Sequence, residues 1–96
     1  MKRFEVIWTK SAESDLELII EYIKIDSLDI AKNIFYEIKE ECNQLYYFPQ
    51  RKRVVLELQQ IGIVKYREII YKRWRVVYKI DNIKVYILFQ RLINKK

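Results

Sequence analysis

The chain has no histidine, one cysteine, one glycine and one proline among its 96 residues, and each scarcity excludes something. Without histidine there is no Ser-His-Asp or Cys-His arrangement for nucleophilic catalysis. A lone Cys42 makes no internal disulfide, and with no imidazole beside it no metal site is expected. One glycine leaves no Gly-rich loop to cradle phosphates, so no nucleotide cofactor is expected either. The longest apolar run, Val85-Tyr86-Ile87-Leu88-Phe89, is far below the ~20 residues of a membrane span. Met1-Lys2-Arg3 is basic, but Glu5 and the polar Thr9-Lys10-Ser11 interrupt any signal-peptide core. The expectation is a cytoplasmic protein of one domain, residues 1–96, with no membrane partner.

What is present is apolar residue and positive charge. A hydrophobic fraction of 51% is too high for a disordered chain. Residues 1–50 carry six Lys/Arg against ten Asp/Glu, whereas residues 51–96 carry thirteen against three. The net charges, −4 and +10, give the +6 of the whole chain. So basic a second half points to a polyanionic partner, with an unevenly charged solubilising surface as the plainer reading.

The two halves also differ in period. Phe4-Glu5-Val6-Ile7-Trp8 reads as a short strand, after which Thr9 or Ser11 is placed to cap a helix. Ala12, Leu16, Ile19, Ile20 and Ile23 form one helical face. Asp26-Ser27-Leu28-Asp29 breaks the pattern and supplies a second cap. Ala31, Ile34, Phe35, Ile38, Cys42 and Leu45 then continue a helical stripe toward Pro49. So short a link predicts an antiparallel helical hairpin. Cys42 falls on the apolar stripe and reads as a core thiol. Beyond the cluster Arg51-Lys52-Arg53, β-branched and aromatic residues dominate. Tyr66–Tyr71, Trp74–Ile80 and Lys84–Phe89 read as three strands of an antiparallel meander, with turns at Lys72-Arg73 and Asp81-Asn82. Trp74, Val76, Tyr78 and Ile80 share one face of the middle strand; Arg75, Val77 and Lys79 share the other. The last strand, apolar on both faces, is expected to be central. The fold class is α+β, with the helices on one face of a small sheet.

For chemistry, the acids Glu13, Asp15, Glu17 and Glu21 lie at helical spacing and read as a solvated face. Arginine and lysine on the sheet remain. Arg67 and Arg75, projecting from adjacent strands with Lys52, Lys65 and Arg73 nearby, would make a cationic concavity suited to phosphate. Tyr66, Tyr71, Tyr78 and Tyr86 would offer stacking surfaces for bases, although Trp74, Tyr78 and Tyr86 read first as ordinary sheet aromatics. Arg75, flanked by Trp74 and Val76-Val77, is costly to place unless it meets water or a partner.

Four stretches, in order, resemble the RelE/ParE toxins of bacterial type II toxin–antitoxin pairs. They are Ser11-Ala12-Glu13-Ser14-Asp15-Leu16 with Ile20-Glu21-Tyr22-Ile23; Leu45-Tyr46-Tyr47-Phe48-Pro49 leading to Arg53-Val54-Val55-Leu56-Glu57-Leu58; Gly62-Ile63-Val64-Lys65-Tyr66-Arg67-Glu68-Ile69-Ile70; and Trp74-Arg75-Val76-Val77-Tyr78-Lys79-Ile80 followed by Val85-Tyr86-Ile87-Leu88. The resemblance implies a small toxin silenced by a cognate antitoxin that wraps around it as a hetero-oligomer. ParE-like members poison DNA gyrase; RelE-like members cleave mRNA on the ribosome. The nuclease branch draws on basic strand residues plus a His or Tyr near the C-terminus. Arg67 and Arg75 match the basic positions, with Lys52 and Lys65 as further candidates, but the chain reads Leu88-Phe89-Gln90-Arg91 where many members carry His before Arg. Leu56 stands where related sequences often have Pro. That departure bears on the loop, whereas the missing His or Tyr and the long helices favour the ParE side. The expected target contacts are Arg67, Arg75 and Arg91, with Arg53 and Arg73 behind them. A non-toxic nucleic-acid-binding module is the reading from another class.

Overall fold

The computed structural model describes the backbone of residues 3–92 and the side chains of residues 3–88. Strand β1 (Glu5–Trp8) leads into helix α1 (Lys10–Lys24), a tight link, and helix α2 (Leu28–Asn43). Two 3-10 turns follow, Gln44–Tyr46 and Pro49–Arg51, then a two-residue strand β2 (Arg53–Val54) and a one-turn helix α3 (Leu56–Gln59). The meander β3 (Tyr66–Tyr71), β4 (Trp74–Asp81) and β5 (Lys84–Leu92) completes the described chain.

Capping fixes where the helices begin. Thr9 Oγ1 accepts the Ala12 amide at 3.2 Å and donates to the Ile87 carbonyl at 2.7 Å, so one hydroxyl starts α1 and ties it to β5. Ser27 caps α2 through the Ile30 amide. Of the two residues suited to the first cap, Thr9 fills the position. The second helix stops at Asn43, so Leu45 reaches the core from a 3-10 turn rather than from the helix proper.

The sheet has five strands in the order β1-β5-β4-β3-β2. The expected meander is present, and β5 is internal, as its two apolar faces required. The N-terminal strand joins it in parallel, with Glu5 opposite Lys84 and Trp8 opposite Ile87. The pairing of β2 with β3 was not expected, since two residues carry no periodicity. The second hairpin turn falls at Asn82-Ile83, one residue later than expected, with Asn82 at φ 59°. Asn is one of the side chains that enter the left-handed region most readily, so Asn82 takes the turn while Asp81 stays in β4.

One sheet face meets the helices. Ala12, Leu16, Ile38, Cys42 and Leu45 pack there against Ile69, Trp74, Val76, Tyr78, Val85 and Ile87. Ile19, Ile20, Ile23, Ile34 and Phe35 close the margins of this core. Both helical stripes therefore do what their spacing predicted. Tyr78 is fully buried, and its hydroxyl donates to the Pro49 carbonyl at 2.6 Å, anchoring the turn that delivers β2 to the sheet. Burial pushes the Cys42 thiol up to about 12, which leaves it protonated and inert.

Candidate functional site: an arginine–glutamate groove on the open sheet face

The opposite sheet face lies away from α1 and α2, and β-strand parity decides what it displays. The β3–β4 register sets Ile70 against Arg75, Glu68 against Val77 and Tyr66 against Lys79. Arg53 of β2 lies opposite Glu68. On the other flank Arg91 of β5 lies opposite Arg75 and Tyr86 opposite Lys79. Arg53, Glu68, Arg75, Val77 and Lys79 thus share the open face, with Arg91 at the matching backbone position. The side chain of Arg91 lies outside the described residues.

Arg67 does not join them. It pairs with Tyr78, so it points to the helix side and donates from Nη1 to the Lys52 carbonyl at 2.7 Å. The expected concavity of Arg67 and Arg75 is therefore divided between two faces. Residues at odd offsets across an antiparallel pair cannot converge. Arg73 is exposed in the β3–β4 turn and Lys65 is exposed in the loop before β3. Lys52 lines a smaller hollow with Glu41, Arg51 and Arg53.

The open face instead carries a four-membered charge relay. Glu68 is the centre, with a side chain only 2% exposed. One carboxylate oxygen accepts Arg53 Nε at 2.6 Å; the other accepts Arg75 Nε. Arg75 then reaches outward with both Nη groups to Glu57, at 3.0 and 3.2 Å. The fork geometry of a guanidinium suits this two-sided grip. The Glu57 hydrogen bond is the largest influence raising the Arg75 pKa, and the Arg75 hydrogen bond is likewise the largest influence lowering that of Glu57. A buried carboxylate needs such partners, because leaving it unpaired would cost more than any packing gain returns.

Helix α3 holds Glu57 in reach. The Val55 amide donates to the Tyr66 carbonyl at 3.0 Å, continuing the β2–β3 pairing up to the start of α3. At its far end Gly62 adopts φ +85°, and its amide donates to the Gln59 carbonyl. That left-handed turn is available to glycine without strain and sends the chain back toward β3. Together Arg53, Val54, Leu56, Glu57, Glu68, Ile70 and Arg75 line an open groove of about 600 Å³.

Among the described residues the aromatic side chains do not form a stacking platform in this groove. Trp74 and Tyr78 belong to the core, in keeping with their ordinary reading, and Tyr71 packs at its margin. Tyr66 and Tyr86 flank Lys79 across the open face, and the Lys79 ammonium lies 5.6 Å from the Tyr86 ring centre. Glu57 and Glu68 were the functional residues missed in the sequence. Their signal was scarcity: residues 51–96 contain only three acids, and two of them hold Arg75.

The chain matches, over residues 6–90, the family described as the ParE toxin of type II toxin–antitoxin system, parDE. It belongs to the ParE toxin family. Two solved structures agree with this assignment at the level of the fold. One is a chain of the chromosomal ParDE toxin–antitoxin system from P. aeruginosa: 15% identity, TM-score 0.78, covering 96% of this chain and 98% of that one. The other is a chain of the toxin–antitoxin complex RelBE2 from Mycobacterium tuberculosis: 22% identity, TM-score 0.66, covering 96% and 93%. Comparison with curated protein sequences gives no match. This ParE-family chain is thus a type II toxin by family, the match running over residues 6–90. Among the described residues no helix is long and apolar enough to cross a membrane.

Proposed function

We propose that the protein is a growth-inhibiting bacterial toxin that acts by binding and poisoning DNA gyrase in the cytoplasm, and that a cognate antitoxin neutralises it by forming a hetero-oligomer over it. The family match over residues 6–90 carries this reading. The fold likeness to chains from two toxin–antitoxin assemblies supports the antitoxin as partner. The groove favours binding over phosphate cleavage. Among the described residues no aromatic side chain lines it to stack a base, and Arg75 already holds Glu68 and Glu57 through three of its five N–H donors. Arg53 and Arg75 are the contact residues on the open face, with Arg91 at the matching backbone position of β5; Arg73 stands at its rim and Arg67 behind it.

The second reading is a ribosome-dependent mRNA endoribonuclease, supported by the fold likeness to the RelBE2 chain and by the density of basic groups around Lys52 and Arg53. One pair of assays separates the two. Purified protein is added to a bacterial cell-free translation reaction, message ends are mapped by primer extension, and gyrase cleavage of supercoiled plasmid is measured in parallel. Intact message together with accumulated gyrase–DNA cleavage complexes is the expected outcome. Cuts confined to translated message, with gyrase unaffected, would refute the gyrase reading. Tight, steeply salt-dependent binding to bare nucleic acid without growth arrest would favour a simple binding module.

A further inference from the structure

Glu57 holds a position that an external ligand would have to take. It is 67% exposed and grips Arg75 from the solvent side, while the 2%-exposed Glu68 grips the same arginine from beneath. The inner pair is part of the fold. The outer pair is a half-exposed contact made by a one-turn helix whose N-terminus has no side-chain cap. Arg53, 69% exposed, uses Nε on Glu68 and has no protein partner for its Nη groups among the described residues. We infer that Arg75 and Arg53 form a binding site for a carboxylate of an acidic peptide segment, and that Glu57 is an internal competitor which the incoming carboxylate displaces.

Three observations fix the ligand's chemistry. The group already seated on Arg75 is a carboxylate bound through two oxygens. The groove beside it is walled by Val54, Leu56 and Ile70, which suit an aliphatic side chain next to the acid. Among the described residues no aromatic side chain lines the groove, so these offer no stacking surface for a nucleic-acid base. Displacement also accounts for Leu56, which is 59% exposed on the same helical turn as Glu57 and would cover a bound aliphatic residue once that turn moves. The inference rests on the proposed function only in taking the antitoxin as the natural source of the segment.

A site occupied by its own competitor binds more weakly by the fraction of time it is closed. Exposed ion pairs of this kind are closed often enough that removing the competitor should strengthen binding roughly two- to fivefold. The test measures fluorescence anisotropy of a labelled Glu-Leu-Glu-Glu-Leu-Glu peptide with the purified full chain. E57Q is expected to tighten binding by that factor, and the same peptide with Gln for Glu should not respond. E17Q removes an equal charge from the exposed surface of α1 and should leave binding unchanged. R75K, made in the E57Q background, should cancel the gain because a point charge cannot reproduce the fork. Unchanged binding by E57Q, an equal gain in E17Q, a gain that survives R75K, or a gain confined to a short oligothymidylate would each overturn the inference. A chain that shows the gain but arrests no growth sinks the toxin reading and leaves the site; a toxic chain without the gain does the reverse.

Discussion

Replacing Glu68 by glutamine tests whether the open face is organised around a buried carboxylate. The substitution keeps the shape of the side chain and one acceptor oxygen. Its amide would then present N–H donors to an arginine N–H, where the carboxylate had accepted from both Arg53 and Arg75. Losing one charge-assisted hydrogen bond costs about 1.5–3 kcal/mol, and breaking a fully buried pair more. The arginines temper the larger figure: Arg53 is 69% and Arg75 27% exposed, so water can take over part of what Glu68 supplied. A loss of about 2 kcal/mol is therefore expected. In a domain this size each kcal/mol moves the melting midpoint by roughly 4–8 °C, so E68Q should melt about 10 °C below the parent. Circular dichroism melts and urea titrations measure this directly, with E57Q as the companion that should melt close to the parent. An E68Q midpoint within about 2 °C of the parent would refute the reasoning, because the relay would then carry no stability.

Three further outcomes follow from the same geometry. Thr9→Ala removes both the α1 cap and the bond to the Ile87 carbonyl, and should cost about 1–2 kcal/mol by urea unfolding, while Thr9→Ser keeps most of it. Cys42, raised to about 12, should react with a thiol reagent at pH 8 roughly a hundredfold slower in the folded than in the urea-unfolded chain. A raised folded pKa means that any stability from the neutral thiol is intact below 9.0 and lost as the pH climbs toward 12. Glu57 has the opposite sign: its folded pKa is depressed below 4.5, so its contribution is present above that value and lost as the pH falls through the folded one. The NMR signal of the Glu57 carboxyl carbon should accordingly stay constant from pH 8 to pH 5 and move only in more acid solution; movement between pH 5 and 7 would contradict its pairing with the Arg75 Nη groups.

The two helical stripes, the meander and the internal place of β5 were legible because burial on one or both faces dictates residue period. The parallel partner of β1 was not, since four residues state that a strand exists but not whose edge it joins. The division of Arg67 from Arg75 was in fact readable. A two-residue turn at Lys72-Arg73 fixes Tyr71 opposite Trp74, and counting outward puts Arg67 beside Tyr78, on the core side. Reading both arginines as positive charge obscured that parity. Glu68 was harder to foresee, because a lone acid between Arg67 and Ile69 gives no local sign that it is buried. Only the pairing with β2, itself too short to detect, brings Arg53 over it.

The parallel seam between β1 and β5 has a consequence for how the molecule is made. Glu5 and Lys84 are paired neighbours in the sheet yet lie at opposite ends of the described chain. A ribosome adding ~5–20 residues per second needs roughly 4–16 s to travel from one to the other. Throughout that interval the helical hairpin already exists as sequence, with Leu16 and Ile38 facing a wall that has not been synthesised. Such non-local closure is slow even for a released chain. The emerging polypeptide is thus held back from its finished shape by its own topology, and β5 acts as the clasp that converts a helical fragment into a folded toxin.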